Sequence, residues 1–260
     1  MKIATFNING IKARLPALLD WLSETMPDIA MLQEIKSVDE LFPREEIEAL
    51  GYQIHTHGMK GFNGVAILSK YPLEDIMRGL PGDSDDIQTR YIEATVITNK
   101  GPLRLCNLYL PNGNPTPGPK FDYKLKWMER LCERTCALIK LEEPFLLAGD
   151  FNIIPQAEDC WDTKVWESDA AYLPESRAAY RKILNLGLTD AFRVKNKSAM
   201  NYTFWDYQAG AWNKNNGIRI DHFLLSSSCA DILIDCQSDR ECRARDKPSD
   251  HVPVWVELDI

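Results

Sequence analysis

Short apolar runs that end in polar residues recur along this chain. The most pronounced run, residues 145–148 (FLLA), stops at Gly149 and is typical of a fully buried strand. Asn99-Lys100-Gly101 lies between two β-rich runs and predicts a hairpin there. Comparable runs predict further strands at 2–6, 29–32, 52–57, 65–68, 91–98, 103–109, 218–225 and 252–258.

Helical spacing of apolar residues predicts four helices between these strands. Leu15, Leu18, Leu22 and Met26 share one face of the first helix, which Pro27 ends. The other predicted helices span 42–50, 121–136 and 178–186.

Two segments lack such periodicity. The first, 111–119, is dense in Pro, Gly and Asn and predicts an exposed loop. The second, 156–174, predicts a surface excursion that packs back onto the body. Because helices are scattered among hairpin-like strands, we expect an α/β fold of two packed mixed β-sheets flanked by helices. Without any repeat or linker, residues 1–260 are predicted to form a single domain.

Composition narrows the class of protein. The chain has 260 residues, 45% hydrophobic and 26% charged, with a formal net charge of -8. This charge argues against a protein that coats nucleic acid through bulk electrostatics. It leaves room for an enzyme with an acidic, metal-filled centre. The opening MKIATFNING is too short and too polar for a signal peptide, and no apolar run reaches membrane-spanning length. We therefore expect a cytoplasmic protein that does not associate with membranes.

The cysteines do not predict a disulfide framework. There are 7 of them, and no CxxC motif occurs. Without a secretory signal, reduced thiols are expected. Cys132 and Cys136 lie one helical turn apart, so they are either metal ligands or small apolar residues on a helix face.

Polar residues follow the predicted strands at many strand ends. Asp150 and Asn152 follow the run 145–148, and residues two apart in an extended chain point to the same side. An acid and an amide on a rigid element suit the positioning of a water, a metal or a phosphate. The local alternative is an Asx-type turn that closes the strand. Similar polar residues beside apolar runs are Asn7, Glu34, Tyr109, Asn112, Asp221, Asp250 and His251. The recurrence predicts one constellation at one edge of the sheets.

Each of these residues also has a purely structural interpretation. Glu34 would then be an exposed charge at a strand end, and Asp250-His251 would be an incidental pair. Asp221 lies in an apolar run, and a buried carboxylate needs a partner. That partner is either Arg219, in an ion pair, or an imidazole that the carboxylate orients.

Six short motifs point to a known family. In order from Phe6 to Trp255, they are FNINGIKAR, LQEIK, NLYLPNG, GDFNI, RIDHFLLS and KPSDHVPVW. Together they resemble the exodeoxyribonuclease III branch of the endonuclease/exonuclease/phosphatase superfamily, over essentially the whole chain. The resemblance implies a four-layered α/β sandwich, in agreement with the layered arrangement predicted from the hydrophobic pattern.

The resemblance also implies a function. It is a magnesium-dependent DNA repair nuclease that hydrolyses the phosphodiester 5′ of abasic sites. Such an enzyme also removes nucleotides or blocking groups from 3′ ends of double-stranded DNA. Mn²⁺ is a substitute for Mg²⁺, and both prefer oxygen ligands. Nothing in the sequence demands an oligomer larger than a monomer. Nothing in it demands an obligate protein partner either.

The same resemblance implies a role for each residue of the constellation. Glu34 is the principal metal ligand, with Asn7 and Asp250 beside it. Asp150 and Asn152 hold or orient the attacking water, or bind a second metal. Asp221 sets the tautomer of His251. Tyr109 and Asn112 contact the scissile phosphate. An apolar pocket for a flipped-out abasic sugar is formed by Phe204, Ile218 and Ile220.

Several positions stay open. Asn9 stands where some family members carry an acid near the metal, and His222 stands where an apolar or aromatic residue is expected. The pocket residues have plain core packing as their alternative, and for Trp205 core packing is the preferred interpretation. The helix that starts near Pro119 carries basic residues that either track phosphates or solvate an exposed face, namely Lys120, Lys124 and Lys126.

Two other functions are compatible with these motifs. The first is a phosphodiesterase or phosphatase of the same superfamily that acts on a non-DNA substrate, such as a phospholipid or an inositol phosphate. The second is a catalytically silent, nucleic-acid-regulatory protein on the same fold. Such a protein would be expected to have lost some of the active-site residues.

Overall fold

The computed structural model describes residues 1–260. Its strands, in chain order, are β1 (Lys2–Asn7), β2 (Ile29–Gln33), β3 (Gln53–His57), β4 (Val65–Ser69), β5 (Leu73–Arg78), β6 (Tyr91–Thr98), β7 (Gly101–Tyr109), β8 (Phe145–Asp150), β9 (Thr189–Asp190), β10 (Asp221–Leu225), β11 (Leu233–Ser238) and β12 (Val254–Leu258). Its α-helices are α1 (Ile11–Thr25), α2 (Arg44–Glu48), α3 (Pro119–Ile139), α4 (Thr163–Trp166), α5 (Pro174–Leu184), α6 (Ala191–Lys195), α7 (Ala211–Lys214) and α8 (Ser227–Asp231). None of these helices has the length and apolar character needed to cross a membrane.

The strands form two six-stranded sheets. Sheet 1 has the order β11-β12-β1-β2-β4-β3, and sheet 2 has the order β5-β6-β7-β8-β10-β9. Each sheet contains one parallel pair, β1–β2 in sheet 1 and β7–β8 in sheet 2, while the other neighbours are antiparallel. Both sheets are therefore mixed, as predicted.

Three apolar cores hold the layers together. Ile3 and Leu146 belong to the core between the two sheets. Trp21 of α1 packs on the outer face of sheet 1, and Leu131 of α3 and Tyr180 of α5 pack on the outer face of sheet 2. Burial of these apolar faces is the main driving force for such layering. The predicted four-layered α/β sandwich is confirmed.

The strand register brings polar residues to one edge of the sheets. Asn7 pairs with Gln33 at the end of the parallel pair β1–β2, and Tyr109 pairs with Asp150 at the end of β7–β8. Asp221, the first residue of β10, also lies opposite Asp150. Three strand ends of sheet 2 therefore meet where the carboxyl ends of β1 and β2 lie in sheet 1.

Gly149 allows the close pairing that positions this edge. Its φ angle is 149°, and a Cβ atom there would lie 1.8 Å from the carbonyl oxygen of Leu108. Any side chain would push β8 away from β7 directly before Asp150. The glycine is therefore required by the approach of the two strands.

Some elements differ from the sequence prediction. The assignment of Met26 to the buried face of the first helix is wrong, because α1 ends at Thr25 and Met26 adopts a left-handed φ of 44° and is 64% exposed. Strands β5, β9 and β11 were not predicted. All three lie at sheet edges with many partly exposed side chains, so none shows a clean hydrophobic pattern. The segment 156–174 does pack back onto the body, with Asp159 and Ala170 fully buried.

Candidate active site

Asn7 joins the two sheets at the centre of the candidate site. Its amide Nδ2 donates hydrogen bonds to Oε1 of Glu34 and to Oδ2 of Asp150, each at 2.9 Å. The carbonyl of Asn7 accepts a hydrogen bond from Oγ of Ser249 at 2.7 Å. One amide at the end of β1 thus holds a carboxylate from each sheet.

The carboxylate of Glu34 is held at both oxygens. Oε1 accepts from Asn7, while Oε2 pairs with Nζ of Lys36 at 2.8 Å. Burial raises the pKa of Glu34, but the hydrogen bonds from Lys36 and Asn7 outweigh it, so the pKa is lowered. Glu34 is therefore charged at neutral pH, and its side chain is only 17% exposed.

Asp250 lies beside this centre and is linked to it through Asn9. Nδ2 of Asn9 donates to Oδ1 of Asp250 at 2.9 Å, and Oδ1 of Asn9 accepts from Lys36. The amide at position 9 therefore connects Asp250 to the lysine that holds Glu34. An acid at that position would lack the donor that Asp250 uses.

A buried chain of acid, imidazole and acid crosses the site. Nδ1 of His251 lies 2.9 Å from Oδ2 of Asp221, and Nε2 of His251 lies 3.7 Å from Oδ2 of Asp150. Thr203 donates a hydrogen bond to Oδ2 of Asp221 at 2.6 Å. Arg219 pairs with other carboxylates, so the partner of Asp221 is the imidazole.

The charged groups in this acid–imidazole–acid arrangement shift one another's pKa. Burial lowers the pKa of His251, but the carboxylates of Asp221 and Asp150 outweigh it and raise that pKa to about 10. Burial, together with the charges of Asp221 and Glu34, raises the pKa of Asp150, although His251 opposes the rise. His251 is thus an imidazolium, and Asp150 is a carboxylate with unusual proton affinity.

Asp150 and Asn152 adopt the turn that was the local alternative. The backbone N–H of Asn152 donates to Oδ1 of Asp150 at 2.8 Å, and Asn152 has a left-handed φ of 48°. The turn also directs Nδ2 of Asn152 to the carbonyl of Leu110 at 2.9 Å. Oδ1 of Asn152 accepts a weaker hydrogen bond from Asn112 at 3.3 Å. The turn and the predicted placement of both side chains at the site are therefore compatible.

Lys124 is buried beneath the loops that contain Asn112 and Asn152. The two interpretations of it as a phosphate contact or as a residue of an exposed helix face are therefore both wrong. It is 0% exposed, and its Nζ donates to the carbonyls of Asn112 and Asn152 at 3.0 and 2.7 Å. A side chain in this position neither tracks DNA phosphates nor solvates a helix face. Lys120 and Lys126 are exposed, as both interpretations required.

Tyr109 lies partly buried between the two sheets. The guanidinium of Arg90 stacks on its ring at 4.7 Å. Burial, with the nearby charges of Glu34 and Asp150, raises the pKa of Tyr109 well above its ordinary value. The phenol is therefore a neutral hydrogen-bond donor at any physiological pH.

These residues surround a cavity of about 160 Å³. Its apolar wall includes Phe204, Ile218 and Ile220, and the ring of Phe204 packs edge-on against His251 with centroids 5.0 Å apart. Trp205 is fully buried in the core beside α1 and does not line the cavity. The full lining consists of Glu34, Tyr109, Asn112, Asp150, Asn152, Trp166, Asp169, Ala171, Phe204, Ile218, Ile220, Asp250 and His251.

The donor set fits a hard divalent cation. Ligand atoms of Glu34, Asp150 and His251 lie within 4.8 Å of one another. His251 is charged and already engaged by Asp221, so it is unsuited to ligate a metal. The two carboxylates remain, and oxygen donors are what such a cation prefers. The group can therefore hold a metal ion through its acids.

The fold and the site together define the class of protein. Residues 4–251 match the Endonuclease/Exonuclease/phosphatase family. The chain belongs to this family, which confirms the membership predicted from the six motifs.

Individual relatives are similar to this chain over essentially the whole length of both proteins. Exodeoxyribonuclease III of Haemophilus influenzae is 38% identical over 266 residues, which cover 99% of this chain and 100% of the relative. An AP endonuclease from Archaeoglobus fulgidus superposes with a TM-score of 0.94 at 34% identity, covering 100% of both chains. A 3′ phosphatase from Neisseria, bound to a product DNA hairpin, superposes with a TM-score of 0.96 at 37% identity and the same coverage.

Sequence reasoning missed several residues of the site. Lys36 and Thr203 hold predicted residues through side-chain contacts that no motif spacing reveals. Trp166 and Asp169 line the cavity from a segment without periodicity. The only indication in the sequence was the large apolar side chain of Trp166 in the segment 156–174, which was predicted to pack back onto the body of the protein. His222, by contrast, is buried and does not line the cavity.

Proposed function

We propose that this chain is a DNA repair nuclease of the exodeoxyribonuclease III type. It hydrolyses the phosphodiester 5′ of abasic sites and removes 3′-terminal nucleotides or blocking groups from duplex DNA. The observation that carries this proposal is a centre of Glu34, Asp150 and His251, in which Asn7 bridges the two acids, at a small cavity with an apolar wall. The names of its relatives support the same substrate class.

Mg²⁺ is the proposed cofactor, with Mn²⁺ as a substitute. Glu34 would be its principal ligand, with Asn7 and Asp250 beside it, while Asp150 and Asn152 act on the attacking water or bind a second metal. When bound, such an ion polarises phosphoryl oxygens and stabilises a leaving alkoxide. One or two carboxylates are the usual protein contribution to a magnesium site.

Asp150 and Asn152 act on the attacking water. The raised pKa of Asp150 makes its carboxylate a competent acceptor for the proton of that water. Asn152 is neutral and donates hydrogen bonds without repelling an anionic phosphate. Lys124 fixes the backbone of Asn152 from below. The water oxygen attacks phosphorus as its proton passes to Asp150. The bond between phosphorus and the 3′ oxygen of the preceding nucleotide breaks, and this oxygen takes up a proton from solvent to leave as the 3′ hydroxyl group.

His251, Tyr109 and Asn112 receive the phosphate. The imidazolium of His251 places a charged donor where negative charge develops on a phosphoryl oxygen. Asp221 holds the ring by its Nδ1 and leaves Nε2 toward the cavity side, where Asp150 lies. The neutral phenol of Tyr109 and the amide of Asn112 donate to the other oxygens of the phosphate.

The apolar wall of the cavity selects an abasic site over an intact nucleotide. Phe204, Ile218 and Ile220 form the apolar wall of the cavity, against which a sugar that lacks its base can pack. Unstacking a nucleotide also costs less where the base is absent. Both effects favour an abasic site over an intact nucleotide.

We also propose the location, the oligomeric state and the domain organisation of the protein. The protein is a cytoplasmic monomer that acts on double-stranded DNA, and residues 1–260 form one domain. Glu34, Asp150 and His251 line one cavity, and Asp221 holds His251 from behind; this complete set speaks against a catalytically silent regulatory protein.

A duplex oligonucleotide with one abasic site and a 5′ label tests this function. The purified protein is incubated with Mg²⁺, with Mn²⁺ and with chelator. We expect a single metal-dependent cut 5′ of the lesion, with a ladder below it from nucleotide removal at the new 3′ end. Absence of any cut with either metal would refute the proposal and direct attention to a lipid or inositol phosphate substrate.

A further inference from the structure

A buried ion network lies directly behind the pocket wall. Arg219 stands between Ile218 and Ile220 in the chain, and its side chain is 0% exposed. Nε and Nη2 of Arg219 donate to the two carboxylate oxygens of Asp159 at 2.6 and 3.3 Å. Nη1 and Nη2 donate to Asp190 at 3.3 and 2.8 Å. Two carboxylates from different segments thus hold one guanidinium.

His222 accepts the remaining hydrogen of this guanidinium. Nη1 of Arg219 lies 2.9 Å from Nδ1 of His222, and Nε2 of His222 lies 3.0 Å from the carbonyl oxygen of Ile153. Because arginine has no acceptor atom, Nδ1 accepts and Nε2 donates to Ile153. Burial and the charge of Arg219 lower the pKa of His222 to about 4, which agrees with a neutral ring. Every N–H of the guanidinium then has an acceptor.

The charges of the network are balanced. Arg193 also pairs with Asp159, so two guanidinium groups face the two carboxylates Asp159 and Asp190. Buried charges that are fully paired hold a defined geometry, because breaking one pair leaves an uncompensated charge. Asp190 also caps α6 by accepting from the backbone N–H of Arg193. The network is therefore a fully paired junction.

This junction reaches both sides of the cavity. The backbone N–H of Arg219 donates to the carbonyl of Asp159 at 2.8 Å, which anchors the segment that carries Trp166. His222 holds the carbonyl of Ile153, the residue after Asn152. The apolar wall and the loop that positions the attacking water therefore share one support.

We propose that Arg219, with Asp159, Asp190 and His222, is a positioning network that fixes the width of the pocket and thereby selects a sugar without a base. The inference rests on the proposed function. None of the four residues lines the cavity, so they act through the wall residues on either side of Arg219. Space for about one methylene changes the discrimination of an apolar pocket by roughly 10- to 200-fold, so a small shift of the wall is sufficient.

The variant His222→Phe tests this proposal. Phe151 and Tyr180 pack against the imidazole with ring centroids 5.4 and 5.3 Å away, so a phenyl ring fills the same space. The substitution removes the links to Arg219 and Ile153 without removing a charge. We would measure kcat/KM for abasic-site incision and for removal of an intact 3′-terminal nucleotide. The expected result is a fall of about tenfold in the ratio of incision to nucleotide removal.

A second buried ion network provides the matched control. Glu93 on β6 accepts from Arg104 at 3.0 Å, from Arg134, and from the phenol of Tyr91 at 2.6 Å. None of these residues lines the cavity. Glu93→Gln should lower the thermal unfolding midpoint and leave the activity ratio unchanged. The ratio therefore separates positioning from stability.

Each outcome decides the proposal. An unchanged ratio in folded His222→Phe would overturn it, even if both activities fell together. If His222→Phe does not fold, Arg219→Lys carries the same test, because lysine keeps the charge and loses the planar fork. Failure of both variants to fold would assign the network to stability alone and overturn the proposal. Wild-type protein without abasic incision would contradict the proposed function instead.

Discussion

The two halves of the candidate site are built in different ways. The polar half stands at strand ends of both sheets, where Asn7 bonds directly to Glu34 and Asp150. The apolar half comes from irregular segments, such as the one that carries Phe204, and from the residues that precede β10. Rigid elements hold side chains more accurately than loops do. The reaction centre is therefore positioned by the sheets, while the pocket wall depends on the Arg219 network behind it.

This difference predicts that the halves are separable by mutation. In the proposed mechanism, the polar half sets the rate on every DNA substrate, because the same water, phosphate and metal are involved each time. The apolar half sets the choice among substrates. Substitutions in the polar half should lower all activities together, whereas those in the apolar half should change their ratio.

Asp150→Asn should have the largest effect, a loss of about 10⁴-fold in kcat on every substrate. The amide cannot accept the proton of the attacking water. In the wild type, the raised pKa of Asp150 predicts that activity falls as the pH drops and this carboxylate becomes protonated. Single-turnover kinetics with abasic duplex measure the effect, and thermal unfolding controls for the fold. A loss smaller than about tenfold would assign the base to another group.

Asp221→Asn should lower kcat by about 10³-fold, through loss of the charged donor on His251. Asp221 is a main cause of the raised pKa of His251, about 10, so its removal lowers that pKa. Wild-type activity should fall as the pH rises through about 10, and the variant should lose activity at lower pH. The pH profile of kcat/KM measures this shift. An alkaline limb at the wild-type position would remove Asp221 from the mechanism.

Glu34→Gln should raise the Mg²⁺ concentration for half-maximal activity by about 100-fold, since changes to outer-shell partners of a metal alone cost 10- to 100-fold. Calorimetric titration of Mg²⁺ in the absence of DNA provides a readout that is independent of turnover. Lys36 pairs with Oε2 of Glu34, so the same Mg²⁺ titration is carried out on Lys36→Met for comparison. An unchanged metal titration of Glu34→Gln would contradict a ligand role.

Ile220→Ala should have the smallest effect on rate and a selective one, a fall of about tenfold in the ratio of abasic incision to 3′-nucleotide removal. The smaller side chain widens the wall and leaves the polar half intact. Ile183→Ala, at an equally buried isoleucine of α5 outside the cavity, is the matched control. Equal ratios in the two variants would show that the wall does not select the substrate.

The polar half was predictable from the sequence for a physical reason. Glu34, Asp150 and Asn152 each follow an apolar run, and strand ends of parallel pairs lie at a common edge. Lys124 shares a helix face with Phe121, Trp127 and Met128, but that apolar pattern does not show which groups would satisfy a buried ammonium group. Its position depends on loop carbonyls that come from other parts of the chain, including that of Asn152. Contacts of this kind depend on the completed fold.

The apolar half was only partly predictable. Ile220 belongs to a motif and Ile218 directly precedes it, but the opposite wall comes from Trp166, in a segment without periodicity. The roles of Arg219 and His222 were equally hidden. Their partners Asp159 and Asp190 lie 60 and 29 residues from Arg219 in the chain, so no local pattern connects them.

Hydrolysis in H₂¹⁸O tests the central claim most directly. A duplex with one abasic site is cut in labelled water with Mg²⁺, and both fragments are analysed by mass spectrometry. Attack of water on phosphorus, with departure of the 3′ oxygen, predicts one ¹⁸O atom in the 5′-phosphate of the sugar-bearing fragment and none in the new 3′ hydroxyl. A cut that leaves the phosphate unlabelled would mean that a carbon–oxygen bond breaks instead, and would contradict the hydrolytic mechanism built on Asp150 and His251.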